Sequence, residues 1–188
     1  MDNASRPAPL VIPPGFEADA QKLDKLEEEA RQDPSVNGDQ VALLESILQR
    51  LQADHARLFR ATLLGKLGNA YAALPTGDRG ASLQKAIDCY EQALRFRTPE
   101  ATPLDYAATQ NNLGNAYADL PVGDRAANLR QAIACYKQAL RFFTPEAAPL
   151  DYAMTQNNLG EAYRDLPVGD RAENLQQAID CYQQALRF

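Results

Sequence analysis

Residues 98–142 read TPEATPLDYAATQNNLGNAYADLPVGDRAANLRQAIACYKQALRF, and residues 144–188 read TPEAAPLDYAMTQNNLGEAYRDLPVGDRAENLQQAIDCYQQALRF. The two stretches agree at 37 of 45 positions. A more divergent copy precedes them. Gly68, Gly114 and Gly160 recur at a spacing of 46, as do Tyr71, Tyr117 and Tyr163, and Cys89, Cys135 and Cys181. A fixed period of this length marks a repeat architecture, in which each unit buries its apolar face against the next. The units span residues 58–97, 98–143 and 144–188.

Each unit reads as two helices. In the middle unit Tyr106, Gln110, Leu113, Tyr117 and Leu120 follow at spacings of 4, 3, 4 and 3, one stripe of a helix from about Pro103 to Leu120. Thr102 stands as its cap, with Pro103 in the first turn and Asp105 behind it. Pro121 ends the helix, and Val122-Gly123 turns the chain. Asp124 offers a short acceptor oxygen to the free N–H groups of the second helix. Its stripe is Leu129, Ala132, Ile133, Tyr136, Ala139 and Leu140, continued by Phe143. No stretch of the repeats alternates with period two, so no sheet is expected.

The composition limits the chemistry. The chain has 188 residues, 45% hydrophobic and 23% charged, which suits a folded protein. A single His makes His-based catalysis or metal binding a poor expectation, and three Cys do not suit a disulfide-stapled secreted domain. The formal charge of −6 sits in residues 1–56, with 11 acids and 5 bases, while residues 57–188 hold 14 of each. Nucleic acid is therefore not an expected partner. No apolar run approaches the roughly 20 residues that span a bilayer, and the Pro-rich N-terminus lacks a secretory pattern. The expected location is cytoplasmic, with no membrane partner, no cofactor and no metal.

The pattern Leu113-Gly114-x-x-Tyr117 followed by Ala132-x-x-x-Tyr136-x-x-Ala139-Leu140 resembles the tetratricopeptide repeat (TPR). That likeness covers the three units and implies an all-α, right-handed α-solenoid of antiparallel helix pairs. It places Gly68, Gly114 and Gly160 where the paired helices touch, against Ala86, Ala132 and Ala178, with Tyr71, Tyr117 and Tyr163 filling the gap between helices. The departure is length. The usual repeat is about 34 residues, and this one is 46. The additional residues fall in the two turns between helices. Such lengthened repeats are similar to those of kinesin light chains and of bacterial arrays joined to caspase-like CHAT proteases or signalling NTPases.

Upstream of the repeats, residues 1–16 are Pro-rich and expected to be mobile, and residues 17–57 read as capping helices. An acidic amphipathic helix spans 17–32, then Asp33–Gly38 forms a loop, and Asp39 caps a helix bearing Val41, Leu44, Ile47, Leu48 and Leu51. Val41, Leu44 and Leu48 stand 46 residues before Ile87, Tyr90 and Leu94, so this helix is in register as the second helix of an earlier unit. A polar-faced cap and a partner-docking helix are the two readings of the acidic segment. At the other end Ile179, Tyr182, Ala185 and Leu186 keep the apolar pattern where a terminal unit should turn polar. Either the chain continues or another molecule covers this face.

Candidate chemistry is sparse. Cys89, Cys135 and Cys181 fall one unit apart, about 10 Å by helix-packing distances, too far for one zinc site. They read as small core residues. His55, next to Asp54, has no nucleophile or acid pair beside it. Asp78-Arg79, Asp124-Arg125 and Asp170-Arg171 read as helix caps with a local ion pair. No catalytic residue is expected. The notable set is polar: Asn69, Gln110, Asn111, Asn112, Asn115, Gln156, Asn157, Asn158, Glu161 and Arg164. In the TPR likeness this face lines the concave groove, where Asn side chains hold a peptide backbone. An amide offers both donor and acceptor, so a ladder of amides could grip an extended segment of any sequence. The alternative is that the amides satisfy one another between helices. The likeness also gives Asn69 and Asn112 two places in a carboxylate clamp, but Gly65, Met154 and Asn158 stand where its cations belong. A C-terminal carboxylate is therefore not the expected ligand. The expected function is a non-enzymatic module binding a protein or peptide on its concave face. A regulatory arm of a larger signalling enzyme and an end-to-end scaffold, self-associating through the open C-terminal face, are the alternatives.

Overall fold

The structure, a computed structural model, describes residues 11–51, 56–75 and 77–188. Most of the 1–16 segment, Asp54 and His55 lie outside the described residues. The elements are α1 (Glu17–Gln32), a 3-10 turn (Pro34–Val36), α2 (Asn37–Arg50), α3 (Arg57–Ala72), α4 (Arg79–Leu94), α5 (Pro103–Asp119), α6 (Arg125–Ala139), α7 (Pro149–Asp165) and α8 (Arg171–Ala185). No strand occurs among the described residues. Each helix packs on the next in chain order, so the chain is an α-solenoid of antiparallel pairs α3/α4, α5/α6 and α7/α8. First helices of successive units also touch, α3 with α5 and α5 with α7, whereas α4, α6 and α8 do not reach one another. The stack is therefore tighter on the first-helix side, and α3, α5 and α7 line its inner face.

The turn inside each unit is built by local chemistry. Leu120 and Leu166 end α5 and α7 in extended backbone, and the following Pro cannot continue the helix. Gly77, Gly123 and Gly169 then take φ of +95°, +83° and +87°, which a residue with a Cβ rarely adopts. Asp124 Oδ1 accepts from Ala126 N at 2.8 Å and Ala127 N at 3.4 Å, and Asp170 Oδ1 accepts from Ala172 N and Glu173 N. A cap of this kind stabilises a helix by about 1 kcal/mol. The adjacent arginine works differently from the expected local ion pair. Arg79, Arg125 and Arg171 donate to the carbonyls of Ala72, Ala118 and Arg164 in the last turn of the preceding helix. A cation there complements both the orphan carbonyls and the helix dipole. Asn128 and Asn174 tie the turn from within, each Nδ2 donating to a Val carbonyl at 2.8 Å.

Thr102 is a correction. Its hydroxyl makes no cap bond; the oxygen is enclosed and without a partner among the described residues. Pro103 follows it with no N–H to satisfy, so the first turn needs less capping. Thr98 and Thr144, at the loop starts, take the structural role: each Oγ1 accepts from the N–H three residues on, at 3.2 Å.

The close contact within a pair also differs from the expected one. A Cβ on Gly68, Gly114 or Gly160 would meet the ring of Tyr90, Tyr136 or Tyr182 at 2.5, 2.6 and 2.7 Å. The second-helix tyrosine lies flat against the glycine. Ala86, Ala132 and Ala178 are buried, but they are not what the glycines admit. Tyr71 and Tyr117 reach backwards, donating to Glu45 on α2 and, at 3.0 Å, to Glu91 on α4. Glu45 and Glu91 stand 46 apart, so α2 occupies the second-helix place of an earlier unit.

The N-terminal helices differ in detail from their reading. The Asp33–Gly38 loop is a 3-10 turn followed at once by α2, which starts at Asn37. Asp33 accepts from Ser35 N at 2.9 Å, and Asp39 lies inside the first turn rather than at its cap. Asn37 Nδ2 instead donates to Ala73 O at 3.1 Å, closing the end of α3. α1 buries Leu23 and is tied to its neighbours by ion pairs of Asp19 with Arg50, at 2.5 Å, and of Glu27 with Lys66. The acidic helix is thus docked on α2 and α3 with its carboxylates partly neutralised.

Candidate functional site

The polar set falls into two groups along the inner face. Gln110 and Gln156 lie near the helix starts, and each Nε2 donates to the tyrosine hydroxyl one turn before it, Tyr106 or Tyr152, at 3.1 Å. Those tyrosines meet Phe142 and Phe188 edge-on, with ring centroids 5.7 and 5.6 Å apart. The glutamines therefore finish an aromatic corner between the two helices of a unit.

The asparagines form a ladder between units. Tyr90 donates to Asn69 Oδ1 at 2.7 Å, and Asn112 Nδ2 donates to the same oxygen at 3.0 Å. One unit on, Tyr136 donates to Asn115 Oδ1 at 2.8 Å, and Asn158 Nδ2 donates to it at 3.1 Å. Each oxygen thereby joins its own second helix to the next first helix. Asn111 is not on the surface. It is 7% exposed, and its oxygen accepts from Thr155 at 3.2 Å and from Asn158 at 3.4 Å. A buried amide must find partners, and here it finds them in the next unit. Replacing it would damage the stack rather than report on binding.

In the first junction the same space is filled by other residues. Gly65 stands in place of Asn111, and Arg97 in place of Phe143. The Arg97 guanidinium lies 3.0 Å from where a Gly65 Cβ would be and donates to Thr109 Oγ1 at 2.8 Å. Its enclosure pushes its pKa down, and Asp105 opposes that shift. Nothing in composition or spacing singles out Arg97; only the absence of an Asn at position 65 hints at a substitute.

After these bonds, two amide nitrogens of the ladder, Asn69 Nδ2 and Asn115 Nδ2, stay without an acceptor among the described residues, whereas both lone-pair sites of each Oδ1 are taken. Asn69 and Asn115 line one cleft of about 360 Å³, with Ala72, Tyr90, Asn112 and Ala116 between them. Arg79 and Asp119 close one side as an ion pair at 3.6 Å. The cleft is thus amide-rich and electrically balanced.

Asn157, Glu161 and Arg164 lie exposed on α7. Asn157 Nδ2 and Glu161 Oε1 are 3.5 Å apart. Arg164 Nε donates to Asp165 Oδ1 at 2.8 Å, which holds the Asp165 carboxyl below its ordinary range. This pair lines a second cleft of about 400 Å³ with Arg171, Asn174 and the Pro167–Gly169 turn. Its arginines are engaged with a carboxylate and a helix carbonyl, so they offer no free cation pair to an anion.

The cysteines sit in the interior of α4, α6 and α8, all buried and free. Burial pushes the Cys89 thiol up to about 11 and the Cys135 thiol up to about 12, with Asp88 and Glu91 adding to it respectively. Cys181 moves the same way. A thiolate is the reactive form, so Ellman's reagent at neutral pH is expected to label these cysteines only on unfolding. Fast stoichiometric labelling of the native protein would contradict the burial. Among the described residues no three His, Cys, Asp or Glu side chains gather to hold a metal. None of the described helices is long and apolar enough to cross a membrane.

No family model matches the chain, and no curated protein matches it.

Proposed function

We propose that the protein is a non-enzymatic interaction module whose inner face binds an extended peptide segment of a partner. The observation that carries this reading is the pair of unfilled amide donors, Asn69 Nδ2 and Asn115 Nδ2, one unit apart in a single cleft. An N–H donor pairs with any backbone carbonyl, so two of them at a fixed spacing hold a chain without dictating its sequence. The occupied oxygens fix the orientation of both amides before a ligand arrives, which lowers the ordering cost of binding. The likeness of the units to tetratricopeptide repeats supports the same face.

The test is the pair Asn69→Asp and Asn115→Asp. Each keeps the oxygen that receives the tyrosine hydroxyl and replaces the donor nitrogen with a carboxylate oxygen, which also repels a backbone carbonyl. Position 161, the third in this series, already carries Glu. Peptides selected by display against the unaltered protein are expected to bind the double variant at least tenfold more weakly, with thermal melting shifted by only a few degrees. Equal affinity for both proteins would overturn the assignment.

A further inference from the structure

Successive second helices do not reach one another, so a groove runs between each two of them on the outer side of the stack. The intervening first helix brings a tyrosine to each groove: Tyr71 between α2 and α4, Tyr117 between α4 and α6, and Tyr163 between α6 and α8. In two of the three the chain lays its own lysine on the ring. Lys85 Nζ of α4 is 5.0 Å from the Tyr71 centroid, and Lys137 Nζ of α6 is 5.5 Å from that of Tyr163. The middle groove has the ring without the lysine. Gln131 stands at the place of Lys85, and Glu91 at the place of Lys137. Glu91 accepts from the Tyr117 hydroxyl at 3.0 Å, and Asp88 lies three residues before it on α4. Asp88, Glu91 and Gln131 are exposed, and Tyr117 is partly so. The neighbouring thiols register the same imbalance. Burial raises all three, and Lys85 opposes the carboxylates at Cys89 as Lys137 opposes Asp180 at Cys181. At Cys135 burial and Glu91 act together, and no lysine opposes them.

We infer that the groove between α4 and α6 receives a lysine side chain of a partner protein, its ammonium over the Tyr117 ring and beside Glu91. An aromatic face attracts an ammonium, and a carboxylate at the ring's hydroxyl edge adds to that attraction. The four-carbon stem lies along the apolar side of the ring while the charge keeps contact with water. Lys85 on Tyr71 and Lys137 on Tyr163 are the working examples, with the cation supplied from within the chain. An acidic segment is turned away by Asp88 and Glu91. This groove lies on the outer side of the stack, away from the Asn69–Asn115 cleft, so either can be filled without the other.

The probe is the tripeptide acetyl-Gly-Lys-Gly-amide, with its norleucine analogue as the uncharged control. Each is titrated at low salt into protein carrying isotope-labelled tyrosine rings. The lysine peptide is expected to shift the Tyr117 ring resonances saturably, by about threefold or more over any shift at Tyr71 and Tyr163, whose rings already carry a lysine. The norleucine peptide should shift none of them. Glu91→Gln should weaken binding about threefold. Gln131→Lys, at an exposed position, supplies the cation from within and should abolish the Tyr117 response. Asn69→Asp with Asn115→Asp should leave that response unchanged, which separates it from the inner cleft. Equal shifts at the three tyrosines, or a Tyr117 response that survives Gln131→Lys, would overturn the inference.

Discussion

Gly114→Val is expected to lower the stability of the array by about 3 kcal/mol. Even a first added carbon at this position would lie 2.6 Å from the Tyr136 ring. That ring cannot swing aside, because Tyr136 is 2% exposed and its hydroxyl is held by Asn115 at 2.8 Å. The two helices must separate, and the Asn115–Asn158 link to the next unit loosens with them. The helix-propensity gain from losing a glycine is only a few tenths of a kcal/mol and cannot offset this. Gly38→Ala supplies the contrast, since a Cβ there meets nothing within 4 Å. It should raise stability by about 0.5–1 kcal/mol. Urea unfolding followed by far-UV circular dichroism reads both. A Gly114→Val protein as stable as the unaltered one would contradict the ring-on-glycine packing.

The second large effect is a coupling. Arg97 and Gly65 fill the first junction as Phe143 and Asn111 fill the corresponding space of the second. Arg97→Phe alone removes the donor to Thr109 and should cost about 2 kcal/mol. Gly65→Asn alone sets a side chain where the Arg97 guanidinium lies, 3.0 Å from the new Cβ, and should cost a similar amount, about 2 kcal/mol. Together they import the second junction's pair, with Thr109 placed as Thr155 is. The double variant is expected within about 1 kcal/mol of the unaltered protein, a coupling of about 3 kcal/mol. Additive losses would show that the two junctions are not interchangeable solutions.

The helix pairs were legible because their signals are local. Spacings of three and four, Pro121 and Asp124 all act within a turn or two of where they stand. Thr102 misled for the same reason: a hydroxyl before Pro103 fits the capping pattern, but the proline had already removed one of the N–H groups. The partner of Gly114 was not legible. A glycine announces close approach without saying whether an alanine or an aromatic ring approaches. The amides were legible as a polar face and no further. Whether Asn115 is free or engaged depends on Asn158, 43 residues away. Type and spacing cannot show which lone pairs are filled, so buried Asn111 and cleft-lining Asn115 looked alike. Asn157 and Glu161 repeat Asn111 and Asn115 by position, and the sequence does not show that on α7 their contact is with each other.

The most direct measurement follows the side-chain amide resonances of Asn69 and Asn115 while a display-selected peptide is titrated into the protein. If both groups donate to the bound chain, both Nδ2 proton pairs move downfield and their exchange with solvent slows, while the Tyr90 and Tyr136 hydroxyl contacts persist. If peptide binding leaves both amides unchanged in shift and exchange, the inner cleft is not where this protein holds its partner.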